Sequence, residues 1–221
     1  MQKARFITLR YHQPAEDQLI IQSEDFYEKM KTRRSVRHFS DREVPEEVIH
    51  NIIMTAASAP SGAHKQPWTF CVIRDLDIKA KIKEAAEKEE YENYHGRMSE
   101  EWLKDLEKFD TDWHKDFLTK APYLIVIFRK VYDIENDGSK SKNYYVSESV
   151  GIAAGFLIAA IHMAGLVTLT HTPSPMNFLQ EILGRPENEK PFLLLPVGYP
   201  TDGAMVPDIS RKHINEVLAM Y

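Results

Sequence analysis

Cysteine is almost absent from this sequence, because Cys71 is the only one among 221 residues. A single cysteine excludes an intrachain disulfide and any cysteine-rich metal centre. The nine histidines do not pair at the spacing that zinc sites use, so we expect no bound metal. A chain of this length buries roughly 70% of its unfolded surface, and we expect a core that is stable without such cross-links.

The common nucleotide-binding motifs are also missing. Neither Gly-x-Gly-x-x-Gly nor Gly-Lys-Ser/Thr occurs, so the usual dinucleotide and phosphate-loop fingerprints are absent. The formal net charge is -5 at pH 7. Proteins that bind nucleic acid usually carry a basic patch, so we expect no nucleic-acid partner.

Long hydrophobic runs are scarce. The first ten residues contain no apolar core of a signal peptide. One run, Val150 to Val167, has the composition of a short membrane span, but three glycines and His162 interrupt it. We interpret it as a helix that is buried on all sides in protein. We therefore expect no membrane partner and a cytoplasmic location.

The remaining sequence divides into an N-terminal arm, residues 1–22, and one domain, residues 23–221. A first helix is expected from Ser23, as N-cap, to about Lys31. Pro45, at the first helical position, opens a second helix. Four apolar runs predict buried strands: Trp68–Ile73, Tyr123–Phe128, Leu166–Thr170 and Phe192–Val197. Helical segments separate these strands, which favours an α/β or α+β fold whose sheet is covered on both faces.

A long connection joins the first two strands. It contains about fifty residues, Arg74 to Pro122, and is rich in Glu, Lys and Asp. Its composition predicts a solvated helical excursion, and long connections of this kind often act as lids over a site. We expect the lid at about residues 76–120.

Three arginines surround a serine near the start of the domain. Arg33, Arg34 and Arg37 flank Ser35. Guanidinium groups match the oxygens of a phosphate dianion, so the cluster is a candidate phosphate site. The spacing also fits a solvated basic helix end. Arg211, near the C-terminus, is a candidate to join the cluster.

The turn before the first strand is a second candidate. Gly62 permits a ligand to approach the backbone closely, and prolines near Ser61 and Ala63 stiffen the turn. An ordinary helix-to-strand loop has the same chemistry, so the alternative stays open.

Two further groups are candidates for binding. Glu90 and Tyr94 share one helical face, and Lys115 follows them. Together they could hold the charges of an amino acid zwitterion, although a charged surface helix is the alternative. Thr168, Thr170 and Thr172 alternate along a strand and its exit, which places them on one side. The preference of threonine for strands explains them equally simply.

These groups occur in an order that resembles the nitroreductase superfamily of flavoproteins. Segment 33–37 resembles its opening motif, segments 60–61 and 66–68 its second motif, and segment 195–200 its late motif. The resemblance covers roughly residues 23–221. A narrower resemblance, to the iodotyrosine deiodinase branch, is carried by the following segments: 59–64, 67–70, Glu90 with 93–94 and 97–98, Trp113 with Lys115, 164–168 and 183–186.

Two features distinguish this branch. Many nitroreductases have Asn at the position of His64, and they lack the Glu, Tyr and Lys set. The animal enzyme carries a membrane anchor before its catalytic domain. This chain begins close to the domain, so we expect a soluble, bacterial-type relative.

The resemblance implies an α+β, nitroreductase-like FMN-binding fold with a central sheet flanked by helices, in a homodimer that binds FMN at its interface. It implies three sets of cofactor contacts. Arg33, Arg34, Ser35, Arg37 and Arg211 would hold the phosphate and ribityl chain; Ser61 and Gly62 would line the flavin; Thr170, His171 and Thr172 would lie beside its ring, with the Thr172 hydroxyl near N5. The Ala63 amide would bind a phenolate, and Glu90, Tyr94 and Lys115 would clamp the zwitterion.

The implied reaction is reductive dehalogenation of halotyrosines by one-electron flavin steps, in which Thr172 is the catalytic residue. NAD(P)H would supply electrons, directly or through a reductase. The alternatives are a general NAD(P)H-dependent nitroreductase or quinone reductase, and a flavin-binding or ligand-binding protein without turnover. The Glu90, Tyr94 and Lys115 set argues against the first alternative, because nitro reduction needs no zwitterion clamp.

Overall fold

The computed structural model describes residues 4–221 of the chain. It divides into two units, one ending at Arg33 and one comprising Arg34–Tyr221. The first unit contains helix α1, Glu16–Lys31, which buries none of its residues. Its first turn is acidic and its last turn is basic, which suits the helix dipole. The domain boundary that we predicted after residue 22 lies within this helix.

The second unit contains the remaining elements. Its helices are α2 Glu46–Ala57, α3 Leu76–Glu92, α4 Glu100–Glu107, α5 Phe117–Lys120, α6 Val146–Met163, α7 Asn177–Ile182 and α8 Ile214–Val217. Its strands are β1 Trp68–Ile73, β2 Tyr123–Lys130, β3 Tyr132–Ile134, β4 Lys140–Lys142, β5 Val167–Thr168 and β6 Glu189–Gly198. A 3₁₀ turn, Gly62–His64, precedes β1, and a π-helical turn, Asn93–Arg97, continues α3.

The central sheet has four antiparallel strands in the order β1-β2-β6-β5. Strands β3 and β4 form a separate hairpin. Because successive side chains of a strand point to opposite faces, β2 divides its apolar residues between two cores. Tyr123, Ile125 and Ile127 pack with α2 and α6 on one face. Leu124, Val126 and Phe128 pack on the other face with residues of α3, α5 and α7. The predicted α+β fold with a sheet covered on both faces is confirmed.

Helix α6 is two-faced. Val150, Leu157 and Ile161 are fully buried in the core, whereas Ile152 and Phe156 are 43% and 39% exposed. The expectation of a helix buried on all sides is therefore wrong for the single chain. Its mean hydropathy of 1.6 over 18 residues is that of a membrane span. Core helices meet the same criterion, so one such helix is weak evidence for a span.

Several predicted boundaries were wrong. Helix α1 begins at Glu16, so Ser23 lies inside it, where its hydroxyl donates to the Ile20 carbonyl instead of capping the helix. Pro45 precedes the first helical residue of α2. The third strand is limited to β5, Val167–Thr168, because the chain then leaves the sheet and returns to it for a single bridge, His171 to Leu194.

The excursion between β1 and β2 is solvated only in part. Ile82 and Ala86 of α3, and Leu118 of α5, are completely buried in the second core. Both ends of the segment therefore belong to the domain itself, and the prediction of a solvated excursion is wrong there. The more exposed middle, residues 93–114, contains the π-helical turn and α4.

Candidate functional site

The arginine segment runs beside the end of β5. The Val36 amide donates to the Thr168 carbonyl at 3.1 Å, and Ser35 forms a parallel bridge with Thr168. This pairing brings residues 35–37 next to the end of β5, after which the chain continues to Thr170 and Thr172. Both threonines are exposed, whereas Thr168 is buried, so the three do not share one environment.

Arg34 points to the C-terminal segment. Its guanidinium donates to the Pro207 carbonyl. The same segment carries Arg211, which is exposed. Arg33 belongs to the N-terminal unit, so its part in a phosphate site stays a prediction.

His171 and Arg37 form the centre of the site. The His171 ring is buried and packs edge-on against Phe117, with ring centroids 5.4 Å apart. Burial, together with the positive charges of Lys115 and Arg37, lowers the pKa of His171 to about 3. His171 is thus neutral at physiological pH, and its buried Nε2 has no hydrogen-bond partner among the described residues.

Arg37 reaches toward the lid. Its guanidinium lies 5.9 Å from the centroid of the Phe109 ring, and its charge acts on the pKa values of Tyr94 and Lys115. Burial lowers the pKa of Arg37 itself, and it makes no salt bridge within residues 4–221. A half-buried guanidinium without a carboxylate is suited to an anionic ligand.

The three predicted zwitterion residues come together. Lys115 Nζ lies 3.4 Å from Glu90 Oε2 and 5.4 Å from the centroid of the Tyr94 ring. Lys115 Nζ also donates to the Asp112 carbonyl, and the Tyr94 hydroxyl donates to the Thr111 carbonyl at 3.1 Å. Burial raises the pKa of Glu90 and lowers that of Lys115, although each charge partly offsets the effect on the other.

Two sets of hydrogen bonds hold the exposed middle of the lid, residues 93–114, at its two ends. The sequence did not predict them. At its start, Asn93 donates to the Ser174 carbonyl at 3.1 Å, and Arg97 approaches the same oxygen at 3.4 Å. Ser174 lies two residues beyond Thr172. At its end, Glu87 accepts a hydrogen bond from the Lys115 backbone amide at 2.7 Å. Glu87 contacts the Lys115 backbone amide and Glu90 contacts the Lys115 ammonium, and the helical spacing of the two glutamates does not predict this difference.

The turn before β1 is strained. Ala63, His64 and Gln66 adopt positive φ angles of 49°, 56° and 47°. Such angles are unusual for residues other than glycine and often occur at ligand sites. The Gly62 amide donates to Ser149 Oγ of α6 at 3.2 Å, and Ser61 Oγ accepts from the Gln66 amide at 2.9 Å.

Gly62 lies too close to its neighbours to carry a side chain. A Cβ atom there would lie 2.9 Å from the Tyr144 carbonyl oxygen. The loop is thus fixed to the start of α6, whereas the arginine segment is fixed to β5. Within the single chain, the predicted flavin residues therefore form two groups, Ser61 and Gly62 beside α6 and residues 35–37 beside β5.

The two main cavities of the described chain lie away from the predicted site. A groove of about 550 Å³ runs along the outer side of α3, beside Tyr91 and Trp113, and a smaller cavity of about 270 Å³ lies beside Arg74 and Lys79. Both are outside the predicted site. The described part of the chain contains no group of three His, Cys, Asp or Glu residues that could hold a metal ion.

Comparison with known proteins identifies the family. The sequence model of the Nitroreductase family matches residues 30–199, most of the second unit. The chain belongs to the nitroreductase family. Its α+β fold is thus that of a family member.

Relatives within the family narrow the comparison. The chain is 64% identical over 220 residues to iodotyrosine deiodinase of Haliscomenobacter hydrossis, covering 100% of this chain and 99% of the relative. It is 48% identical over 208 residues to iodotyrosine deiodinase 1 of Homo sapiens, covering 94% of this chain and 72% of the relative. A crystal structure of oxidized iodotyrosine deiodinase bound to FMN and 3-iodo-L-tyrosine matches with a TM-score of 0.76 and 30% identity, covering 89% and 98% of the two chains. The narrower resemblance that we drew from the sequence is confirmed.

Proposed function

We propose that this protein is an FMN-dependent enzyme that dehalogenates halotyrosines, converting iodotyrosine to tyrosine and halide. One observation carries the proposal: Glu90, Tyr94 and Lys115 form a clamp in which a buried carboxylate and a buried ammonium group lie beside a half-buried phenol. Such a clamp binds the ammonium and carboxylate of an amino acid, and general nitro reduction does not require it. The relatives and the solved structure described above support the same reaction.

Two features of the chain fit FMN. Arg37, half-buried without a salt bridge in the described chain, can accept the negative charge of the phosphate. The unpaired Nε2 of buried His171 can hydrogen-bond to the cofactor. Together with these, we assign the phosphate and ribityl contacts to Arg33, Arg34, Ser35 and Arg211, and the ring contacts to Ser61, Gly62, Thr170 and Thr172.

We assign the substrate contacts to the residues of the clamp and to the turn before β1. Glu90 takes the substrate ammonium, and Lys115 and Tyr94 take its carboxylate. The exposed Ala63 amide donates to the phenolate oxygen. A halogen next to the hydroxyl acidifies a phenol, so this donor favours halotyrosine over tyrosine. Each charge-assisted contact contributes about 1.5–3 kcal/mol. When the lid lies over the zwitterion it also excludes water, which strengthens the electrostatic contacts.

Bound FMN supplies the electrons of the reaction. The net change consumes two electrons and one proton, replaces the carbon–halogen bond by carbon–hydrogen and releases halide. Thr172 would supply a hydroxyl donor to the flavin, and such a donor would favour transfer of the electrons one at a time. We propose NAD(P)H, directly or through a reductase, as the external donor.

A second copy of the chain completes the proposed site. The exposed side of α6 forms one apolar stripe that repeats at helical spacing: Gly151, Ile152, Gly155, Phe156 and Met163. Its glycines permit another helix to pack closely. A homodimer that covers this stripe would bring the loop at Ser61, near the start of α6, to the partner's arginine segment. We also propose a cytoplasmic location, where a free thiol such as Cys71 stays reduced.

Flavin identity is the first test. Purified protein should be yellow, and mass spectrometry of the released cofactor should give FMN. Titration with iodotyrosine should quench the bound-flavin fluorescence at far lower concentrations than titration with tyrosine. FAD, an absent flavin, or equal affinity for the two amino acids would refute the proposal.

Thr172 distinguishes dehalogenation from nitro reduction. Thr172→Ala removes a hydroxyl and little volume, so FMN should remain bound. Dehalogenation should fall roughly ten- to a hundredfold, the equivalent of about 1.5–3 kcal/mol, whereas hydride transfer to a nitroaromatic should persist. Thr55→Ala is the control, because Thr55 is an exposed threonine of α2 outside the proposed site, and its loss should change neither rate. A Thr172→Ala enzyme that keeps the wild-type dehalogenation rate would show that the Thr172 hydroxyl takes no part in the reaction.

A further inference from the structure

Two charged residues on the outer side of α3 hold the segment that carries Lys115. Glu87 Oε1 accepts the Lys115 backbone amide at 2.7 Å. Lys83, one turn earlier, lies 3.6 Å from the same carboxylate oxygen and also pairs with Asp116. Side chains at i and i+4 of one helix are neighbours, so Lys83 and Glu87 act on two consecutive residues of the returning chain.

This anchor has a direct consequence for the clamp. The Lys115 ammonium is carried on a flexible stem of four carbons. If the Lys115 backbone also moved, the ammonium could occupy many more positions. Glu87 fixes that backbone. From there Nζ reaches Glu90 Oε2 at 3.4 Å and lies 5.4 Å from the centroid of the Tyr94 ring. Glu90 and Glu87 thus act on the same lysine from two sides, one at the ammonium and one at the backbone.

We propose that Glu87 is a positioning residue for zwitterion recognition, and that it acts through the Lys115 backbone without touching substrate or flavin. The inference rests on the proposed function, because it assigns a role to Lys115 as the carboxylate contact. A carboxylate oxygen is needed only as a hydrogen-bond acceptor. Glutamine therefore substitutes for Glu87, and alanine does not.

The test compares Glu87→Ala and Glu87→Gln with the wild-type holoenzyme. The control is Glu84→Ala, which removes an exposed carboxylate from the same helix that makes no hydrogen bond or salt bridge among residues 4–221. Flavin fluorescence gives the Kd of iodotyrosine and of 2-iodophenol, which lacks the zwitterion. For Glu87→Ala the Kd of iodotyrosine should rise about tenfold, as expected for loss of the hydrogen bond that holds the Lys115 backbone, and that of 2-iodophenol should stay constant.

Hydrogen exchange gives a second measurement that does not depend on binding. The Lys115 amide should exchange faster in Glu87→Ala, and at the wild-type rate in Glu87→Gln and Glu84→Ala. Support requires the selective loss for iodotyrosine, its rescue by glutamine and the faster exchange. Equal losses for both ligands, no loss, or unchanged exchange in Glu87→Ala would overturn the proposal.

The failure of the proposed function looks different. If the wild-type protein binds 2-iodophenol as tightly as iodotyrosine, the clamp itself is wrong, whatever the variants do. If the wild-type protein prefers iodotyrosine and Glu87→Ala keeps the full preference, only the positioning role of Glu87 is wrong.

Discussion

At the scale of single residues, Glu90 and Lys115 form a buried ion pair, with side chains 10% and 5% exposed. Removing one partner of such a pair leaves a buried charge unpaired, which typically costs about 3–5 kcal/mol. We expect a bound zwitterion to replace the contact between Glu90 and Lys115 without that cost, because it brings a partner for each charge. A ligand with one charge pairs with one residue and leaves the other without a partner.

This argument predicts an unusual order of affinities. Iodotyramine carries only the ammonium, and 3-(4-hydroxy-3-iodophenyl)propionate carries only the carboxylate. Both should bind at least roughly tenfold more weakly than iodotyrosine, a loss of about 1.4 kcal/mol or more. Neither should bind more tightly than uncharged 2-iodophenol, although both make more contacts. Flavin fluorescence titration measures all four ligands, and a singly charged analogue as tight as iodotyrosine would contradict the exchange.

His171 connects the site to acid stability. Its pKa is about 3 in the folded protein, against 6.5 for an ordinary histidine. Between these values the unfolded chain binds a proton that the folded chain does not, so stability rises with pH through this window and is fully present above pH 6.5. As pH falls below 6.5, this residue alone costs about 1.4 kcal/mol per pH unit.

Replacement of His171 should therefore flatten the acid dependence. His171→Gln keeps a polar side chain that does not titrate. The free energy of unfolding, measured in urea between pH 5 and 7.5, should fall less steeply with acidification than in the wild type. His162→Gln, on α6, is the control. Parallel pH profiles for His171→Gln and wild type would show that His171 does not stay neutral.

At the scale of elements, the strained turn before β1 stores free energy. An L-residue in the left-handed region costs roughly 1–2 kcal/mol, and Ala63 adopts φ 49° and ψ 27°. Ala63→Gly should raise the free energy of unfolding by about 0.5–1 kcal/mol, after allowing for the greater freedom of glycine in the unfolded chain. Affinity for iodotyrosine should fall, because the amide donor is held less firmly.

A helical position provides the matched control for that change. Ala80 is exposed in α3, where glycine is unfavourable by about 1 kcal/mol, so Ala80→Gly should lower stability. Urea unfolding measures both. Destabilisation by Ala63→Gly of the same size as by Ala80→Gly would mean that the turn is not strained.

The elements also show which parts of the structure the sequence predicts and which it does not. Strand β1 was predicted with its bounds, since an unbroken apolar run between turns has few alternatives. Helix α1 was placed too short, because it buries no residue and its sequence therefore carries no apolar periodicity to mark the start. Helical spacing paired Glu90 with Tyr94, but Lys115 lies outside that helix and was joined to them through the resemblance to the family. Glu87 was not found, because a hydrogen bond to a backbone amide 28 residues away leaves no pattern in the sequence.

At the scale of the whole molecule, the apolar stripe of α6 requires a cover. Phe156→Glu places a charge in the middle of this stripe. If a second copy covers it, light scattering should show a shift from dimer to monomer, and the FMN content should fall with it. Leu76→Glu changes an equally apolar residue, 70% exposed on α3, and should alter neither. A dimer that persists in Phe156→Glu with full flavin content would place the interface elsewhere.

The position of the lid in the chain bears on how such enzymes diversify. Strands β1 and β2 are direct neighbours in the sheet, with Ile73 opposite Leu124, and the whole excursion leaves and returns at this pair. The connection between these strands can therefore change in length or sequence without altering the register of the sheet. An ancestral flavoprotein can thus acquire or exchange residues 90–115, which include Glu90, Tyr94 and Lys115, as a cassette, while the strands and the arginine segment are inherited unchanged. Selectivity for a new substrate can then arise by recombination at one locus, without a new fold.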